Sequence, residues 1–193
     1  MENLSLIAGL IASDGHLDKD YDGIRFITGN IEMVKKFTEL TKDYNKKIWS
    51  SISGFKSKRY IIYIYNKDLK AILEKKYKIP RGKKSDKIII PENIPVKEKL
   101  KFIKGLFSGD GSISFDRKAN KKYMQIIFWT KSKKLANDIK KIFNRYKISC
   151  GINYSEQKNQ YRVTIRENNS LKIFKKLIGF FHPQKEKILE TLT

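Results

Sequence analysis

Residues 7–15 read IAGLIASDG and residues 103–111 read IKGLFSGDG. The two stretches lie 96 positions apart and agree at five of nine positions: Ile, Gly, Leu, Asp and Gly. Each starts as an apolar helical run and stops at a carboxylate followed by glycine. A chain of 193 residues that repeats such a segment at half its length is pushed toward two copies of one small α+β unit.

The repeat extends beyond these windows. After the first Asp-Gly comes the β-rich run IRFITGN (24–30), then IEMVKKFTELTKDY (31–44). In the latter, Ile31, Val34, Phe37, Leu40 and Tyr44 fall at helical spacing. KIWSSIS (47–53) and RYIIYIY (59–65) read as strands, and DLKAILEKKY (68–77) as a helix. The second half repeats the order. MQIIFWT (124–130) is a strand, and KKLANDIKKIFNRY (133–146) is a helix. ISCGINY (148–154) and QYRVTIR (160–166) alternate as strands, and SLKIFKKLIGF (170–180) is helical. The fold expected is α+β: two α-β-β-α-β-β-α halves related by a pseudo-twofold axis. The domain reading is 1–87, a linker over 88–99 marked by Pro91 and Pro95, and 100–193.

Gly9 and Ser13 are four apart and share one helix face; Gly105 and Gly109 hold the same places in the second copy. Small residues at a contact let helices approach at or inside the usual distance of about 8–10 Å. The two segments are therefore expected to pack on each other. Gly15 and Gly111 suit a left-handed helix stop. Asp14 and Asp110 then sit together at the electronegative ends of two helices, where carboxylates repel unless a cation lies between them. Oxygen ligands favour a hard divalent ion such as Mg²⁺.

The composition narrows the partner. Lys and Arg number 42 against 20 Asp and Glu, a formal charge of +22. Residues 1–95 hold 19 basic and 12 acidic side chains, and residues 96–193 hold 23 and 8, so the excess is no basic tail. Such a charge on a folding chain points to nucleic acid. The single cysteine, Cys150, excludes a disulfide framework and reads as a small core residue. The apolar run that stops at Asp14 is too short for a membrane span. A cytoplasmic location, with no membrane partner, is expected.

The paired stretches resemble the motifs of LAGLIDADG homing endonucleases in their single-chain, two-motif form. FWTKSKKLANDI (128–139) and the run from RGKKS (81–85) through IIIP (88–91) are similar to segments of archaeal intron and intein endonucleases. The resemblance implies two motif helices at the interface of the halves. It also implies a curved four-stranded antiparallel sheet in each half, the two forming a saddle over the DNA major groove. Asp14 and Asp110 would hold two or more Mg²⁺ or Mn²⁺ ions, helped by the backbone carbonyls of Ser13 and Gly109. The implied activity is cleavage of both strands across the minor groove, leaving short 3′ overhangs. Ala12 and Ser108 stand where the motif writes its first Asp, a position that is not a metal ligand. A groove only about 6 Å wide lets two adjacent carboxylates serve opposite strands. Metals about 3.5–4 Å apart can clamp attacking and leaving oxygens.

The family also uses lysines around the metals. Candidates are Lys84 and Lys87 in RGKKSDK, and Lys185 and Lys187 in HPQKEK. Lys87 and Lys187 share a Lys-Ile context, which favours them; each lysine is otherwise a phosphate contact or a solvated charge. Asn30 and Lys131, just after their strands, are further candidates.

Strand alternation puts Gln160, Arg162, Thr164 and Arg166 on one face, suited to bases and phosphates, with Asn153 and Ser155 outward nearby. Arg25, Ser51, Ser53, Arg59 and Gln125 complete the DNA-facing set. Trp49 and Trp129 read as packing residues. His16 and His182 have no cysteine partners and make no zinc site.

The leading expectation is a monomeric, Mg²⁺-dependent, site-specific endonuclease. It would act on a long double-stranded DNA site, asymmetric or pseudo-palindromic because the halves differ. Neither terminus, Met1 nor ETLT, resembles intein splicing residues, which favours a free-standing, intron-encoded enzyme. The alternatives are an RNA maturase of the same fold, and a DNA-binding regulator that has lost cleavage.

Overall fold

The computed structural model describes residues 3–52, 58–118 and 121–192. The first half runs α1 (Leu4–Asp14), β1 (Gly15–Leu17), β2 (Gly23–Thr28), α2 (Ile31–Leu40), β3 (Lys46–Ile52), β4 (Lys58–Tyr65) and α3 (Lys67–Lys75). The second runs α4 (Val96–Asp110), β5 (Gly111–Lys118), β6 (Lys121–Thr130), α5 (Lys133–Arg145), β7 (Gly151–Ser155), β8 (Gln160–Ile165), α6 (Asn168–Leu177) and α7 (Pro183–Glu190). Each half holds one four-stranded antiparallel sheet, ordered β1-β2-β4-β3 and β5-β6-β8-β7.

The helices start where side chains satisfy their first free N–H groups. Asn30 caps α2 at Glu32 and Met33, Asn66 caps α3 at Leu69, and Ser132 caps α5 at Leu135. The sheets bury alternate residues. Ile24 and Phe26 of β2 pair with Ile64 and Ile62 of β4, and all four are fully buried. Phe37 of α2 stacks on Phe26 at 4.2 Å between ring centroids. In the second half Phe107 of α4 stacks on Phe128 at 4.8 Å and meets Phe143 and Phe174. Each motif helix thus roots its own half, and α1 against α4 is the most extensive contact between elements.

Three features depart from expectation. The strand expected from residue 148 starts at Gly151, because Lys147 turns the chain with φ of 57°. Helix α4 starts at Val96, so its first turn falls in the expected linker. The second half also carries α7, where the first half has a turn and extended chain near residues 81–90. Pro183 at the first turn suits that helix start, whereas Arg81-Gly82 turns at φ of 69°.

Candidate active site

Helix α1 presents no charged residue before Asp14, and Leu4 through Ala12 are all buried. Its contact with α4 is backbone on backbone. A methyl group on Gly9 would lie 2.1 Å from the Phe102 carbonyl oxygen and 2.9 Å from the Gly105 Cα. One on Gly105 would lie 2.6 Å from the Leu10 nitrogen and the Leu6 oxygen. One on Gly109 would meet Ser13 Oγ at 2.2 Å and Asp14 Oδ2 at 2.8 Å. No side chain larger than hydrogen fits at these positions while the helices keep this separation. Gly9, Gly105, Ser13 and Gly109 thereby bring the two helix ends, and their terminal carboxylates, together.

Gly15 and Gly111 do not take the left-handed conformation expected of them. Their φ, ψ pairs are −102°, −179° and −77°, 155°, both extended, because each opens the first strand of its half. Glycine is required here by crowding: an added Cβ would sit 2.6 Å from Ile11 Cα or 2.4 Å from the Phe107 oxygen.

Each helix end is capped by a lysine from its own half. Lys84 Nζ donates to the carbonyls of Ile11, Ala12 (2.7 Å) and Ser13 (2.9 Å). Lys185 Nζ donates to those of Ser108 (2.6 Å) and Gly109 (2.7 Å). Apart from that of Ile11, which also accepts the Gly15 N–H, these are last-turn carbonyls at the negative end of a helix, and an ammonium group answers them directly.

Two clefts flank the helix pair. The first, of 270 Å³, is lined by Ala12, Ser13 and Lys84 of one half and by Asp110, Trp129, Lys131 and Gln160 of the other. The second, of 510 Å³, is lined by Ser108, Gly109, His182 and Lys185 of the second half and by Asp14, Thr28, Gly29 and Arg59 of the first. Each cleft therefore pairs one half's lysine with the opposite half's aspartate.

The electrostatics follow from this enclosure. Surrounding protein displaces water from Asp110 and Asp14's charge adds to the effect, pushing the Asp110 carboxyl up to about 6 against the pull of Lys84 and Lys185. Desolvation also raises Asp14, opposed by Lys185 and Lys84. Burial pushes Lys84 and Lys185 down to about 8, although both carboxylates favour their charged forms. Asp14 is half-buried; Asp110, though crowded by protein, remains exposed to solvent.

Of the four lysine candidates, Lys84 and Lys185 bond the helix-end carbonyls and lie within electrostatic range of both carboxylates. Lys87 and Lys187, favoured by their shared Lys-Ile context, are exposed and line neither cleft. Asn30 instead caps α2. Lys131 does line the Asp110 cleft.

The register places the other candidates. Arg25 pairs with Tyr63 and Ser51 with Arg59, on the sheet face away from the core. Ser53 lies outside the described residues. In the second sheet Asn153 pairs with Arg162 and Ser155 with Gln160, again on the outer face. Gln125, Thr164 and Arg166 share that face, yet Gln125 and Thr164 are buried in it, and Gln125 accepts a bond from Arg166 Nε at 3.2 Å. These two are thus recessed rather than presented.

Trp49 departs from the packing expectation, while Trp129 is half-buried among its neighbours. Trp49 is 45% exposed on the outer face beside Tyr63. Trp129 lies opposite Arg162 and under Lys158 at 4.3 Å. Cys150 is a half-buried free thiol, and burial pushes it up to about 11. No described helix is long and apolar enough to cross a membrane.

Sequence reasoning missed two features. His182 lines the Asp14 cleft with its Nδ1 buried and unbonded. Asp18, 7% exposed, accepts hydrogen bonds from Arg25 Nη2 and Tyr63 Oη. The signal for the second was local: an acid four residues after Asp14, with no counterpart after Asp110.

Comparison with known proteins agrees with this geometry. Residues 97–179 match the family description LAGLIDADG-like domain. The chain is 30% identical over 197 residues to a replication factor C small subunit of Methanocaldococcus jannaschii, covering 99% of this chain and 10% of that protein. It thus spans about a tenth of the length of that relative. Among solved structures it is similar to the homing endonuclease I-WcaI bound to its DNA recognition sequence. There the TM-score is 0.70 and the identity 16%, over 97% of this chain and 86% of that one. I-DmoI in complex with DNA and Mn follows at 0.65 and 17%, over 91% and 95%. The N-terminal LAGLIDADG domain of DUF199/WhiA gives 0.63 and 20%, over 97% and 85%. With both motif helices and both sheets in one polypeptide, the chain has the two-motif LAGLIDADG fold, and its second half matches the family's domain description.

Proposed function

We propose that the chain is a divalent-metal-dependent, site-specific double-strand DNA endonuclease of the homing type, acting as a monomer. The fold alone does not decide this, since DUF199/WhiA shares it. The observation that carries the reading is the pairing of Asp14 and Asp110 at a glycine-to-glycine helix contact, each facing the opposite half's lysine. Two carboxylates and two lysines drawn together at one helix contact, three of them half-buried and Asp110 exposed, form a charge cluster that packing alone does not explain.

The donor set suits a hard cation. It offers carboxylate and carbonyl oxygens, and no group of three His, Cys, Asp or Glu among the described residues forms a cage for a softer metal. Asp14 and Asp110 would hold Mg²⁺ or Mn²⁺, and the Ser13 and Gly109 carbonyls, which accept from Lys84 and Lys185, would contribute their second lone pairs. When bound, these ions supply Lewis acidity and an activated water for phosphodiester hydrolysis. The chain's own residues do the rest. Lys84 and Lys185 keep a positive charge at each helix end, where it meets the phosphate and polarises water beside it. The glycine contact holds the acids close enough to serve two strands across a groove about 6 Å wide. Arg25, Ser51, Arg59, Asn153, Ser155, Gln160, Arg162 and Arg166 line the outer sheet faces, where they would bind the DNA. The products would carry short 3′ overhangs.

The test is selection of cleaved duplexes from a randomised pool in Mg²⁺ and in chelator. A defined, long sequence cut on both strands only with metal is expected. Cleavage indifferent to chelator, or no cleaved product in any metal, would refute the proposal. Affinity for the selected duplex should fall by orders of magnitude between low and moderate salt, because many phosphates are neutralised by Lys and Arg.

A further inference from the structure

The two sheets are equivalent strand for strand, so three positions beside the carboxylates can be compared directly. Asp18 lies four residues after Asp14, and Ser114 four after Asp110. Arg25 pairs with His16, the second residue of β1; Ile127 pairs with Ser112, the second residue of β5. Tyr63 pairs with Arg25 from β4, and Thr164 with Ile127 from β8. The first half thus carries Asp18, Arg25 and Tyr63 where the second carries Ser114, Ile127 and Thr164.

The chemistry of the two sets is opposed. Asp18 takes a charge-assisted bond from Arg25 Nη2 and a second bond from Tyr63 Oη. Burial works against its ionisation, but these two bonds and Arg25's charge outweigh it and hold the carboxyl below its ordinary range. Burial, together with Asp18, pushes Tyr63 up to about 12. Gly23 opposite makes room, since a Cβ there would collide with Tyr63 Oη at 1.7 Å and Asp18 Oδ2 at 2.5 Å. Arg25 still keeps 41% of its side chain exposed. Its Nη2 is held by Asp18 and its Nε is buried without a partner, so the exposed part of the planar fork is its Nη end. In the second half Ile127 is 8% exposed, and Ser114 Oγ and Thr164 Oγ1 are buried without partners. No charged group stands among these three.

We infer that Arg25, oriented by Asp18 and Tyr63, reads a guanine in the major groove on the N-terminal side of the cleavage centre, and that the equivalent base pair on the C-terminal side carries no such requirement. The inference rests on the DNA-cleaving reading above and adds a base identity to one half-site. An arginine fork matches guanine O6 and N7, and pre-orientation keeps the ordering cost low. Asp18 is a positioning residue, since it acts through Arg25.

The experiment is a binding selection from a randomised duplex pool in Ca²⁺, with the wild type, Arg25→Ala and Asp18→Asn. The orientation of the protein on the selected DNA is read by tethered cleavage from the C-terminus. The wild type should enrich a near-invariant G·C pair on the N-terminal side only. Arg25→Ala should lower discrimination at that pair about tenfold or more, and leave the other positions discriminated as before. Asp18→Asn keeps the shape and loses the charge, so it should lower discrimination there severalfold while Arg25 is still present. A purely structural role for Asp18 would instead weaken all positions alike and lower the unfolding midpoint. Enriched sites without this pair, a matching pair on both sides, or unchanged discrimination in Asp18→Asn would each overturn the inference alone. A pool that enriches no sequence would overturn both the inference and the endonuclease reading.

Discussion

The cleft at Asp110 and the cleft at Asp14 have the same plan and different walls. In both, a lysine of one half caps its own motif helix and faces the other half's acid. Around that shared core, Trp129, Lys131 and Gln160 line the first cleft where Ile27, Gly29 and Arg59 line the second. The bulkier Trp129 and Lys131 go with the smaller volume, 270 against 510 Å³. His182 enters only the larger one. The helix contact imposes equality on the acids and lysines, because both are tied to backbone that cannot move apart. Strand-end residues answer to no such constraint. The two scissile positions would then share chemistry and differ in how they grip the strand.

The largest way to separate the two clefts is through their lysines. Lys84→Met and Lys185→Met should each slow cutting by about 10²-fold, mainly at the strand served by that lysine's cleft. Plasmid assays on a selected target should then accumulate nicked circles, cut on opposite strands in the two variants. Equal slowing of both strands would show that the clefts do not act separately.

A second test targets what makes the clefts alike. Gly105→Ala places a methyl against backbone at 2.6 Å, so the helices must part. Thermal or urea unfolding should show a loss of about 1–3 kcal/mol. Cleavage should fall on both strands together, in contrast to the lysine variants.

The smallest effect concerns the acids at rest. Asp110 titrates near 6, above its unfolded range, so its stabilising contribution is full at low pH and is lost as pH rises through about 6. In chelator, Asp110→Asn should therefore be more stable than wild type at pH 7. Screening at this open-edged site limits the gain to about 1 kcal/mol. The gain should vanish below about pH 4, and equal stability of the two proteins across this range would contradict it.

Much of the arrangement was legible in the sequence because the motif helices are defined by local rules. Small residues four apart, a terminal acid and a repeat at 96 residues predict the α1–α4 contact without any tertiary information. The lysines were only half legible. Context favoured Lys87 and Lys187, but reach is decided by the loop after α3 and the start of α7, which bring Lys84 and Lys185 to the helix ends. The role of Gly15 and Gly111 was misread for a similar reason. Glycine after a helix suggests a left-handed stop, while the crowding that demands it here comes from Ile11 and Phe107. Alternation found the outer sheet faces, yet it could not reveal that Gln125 and Thr164 sit recessed. Nor could it show that Arg25 and Tyr63 of two strands converge on Asp18, just past the end of β1. Depth and cross-strand register are properties of the folded sheet and leave no period in the chain.

The claim on which the rest depends is that Asp14 and Asp110 act together as the cleaving centre. The direct measurement is paired binding and cleavage of the selected duplex by wild type, Asp14→Asn and Asp110→Asn in Mg²⁺. Losing a metal-holding charge removes several kcal/mol of transition-state stabilisation, so each variant should cut on the order of 10³-fold more slowly. Binding to the same duplex should remain within a few-fold of wild type. Cutting at near wild-type rate by either variant, on either strand, would contradict the account.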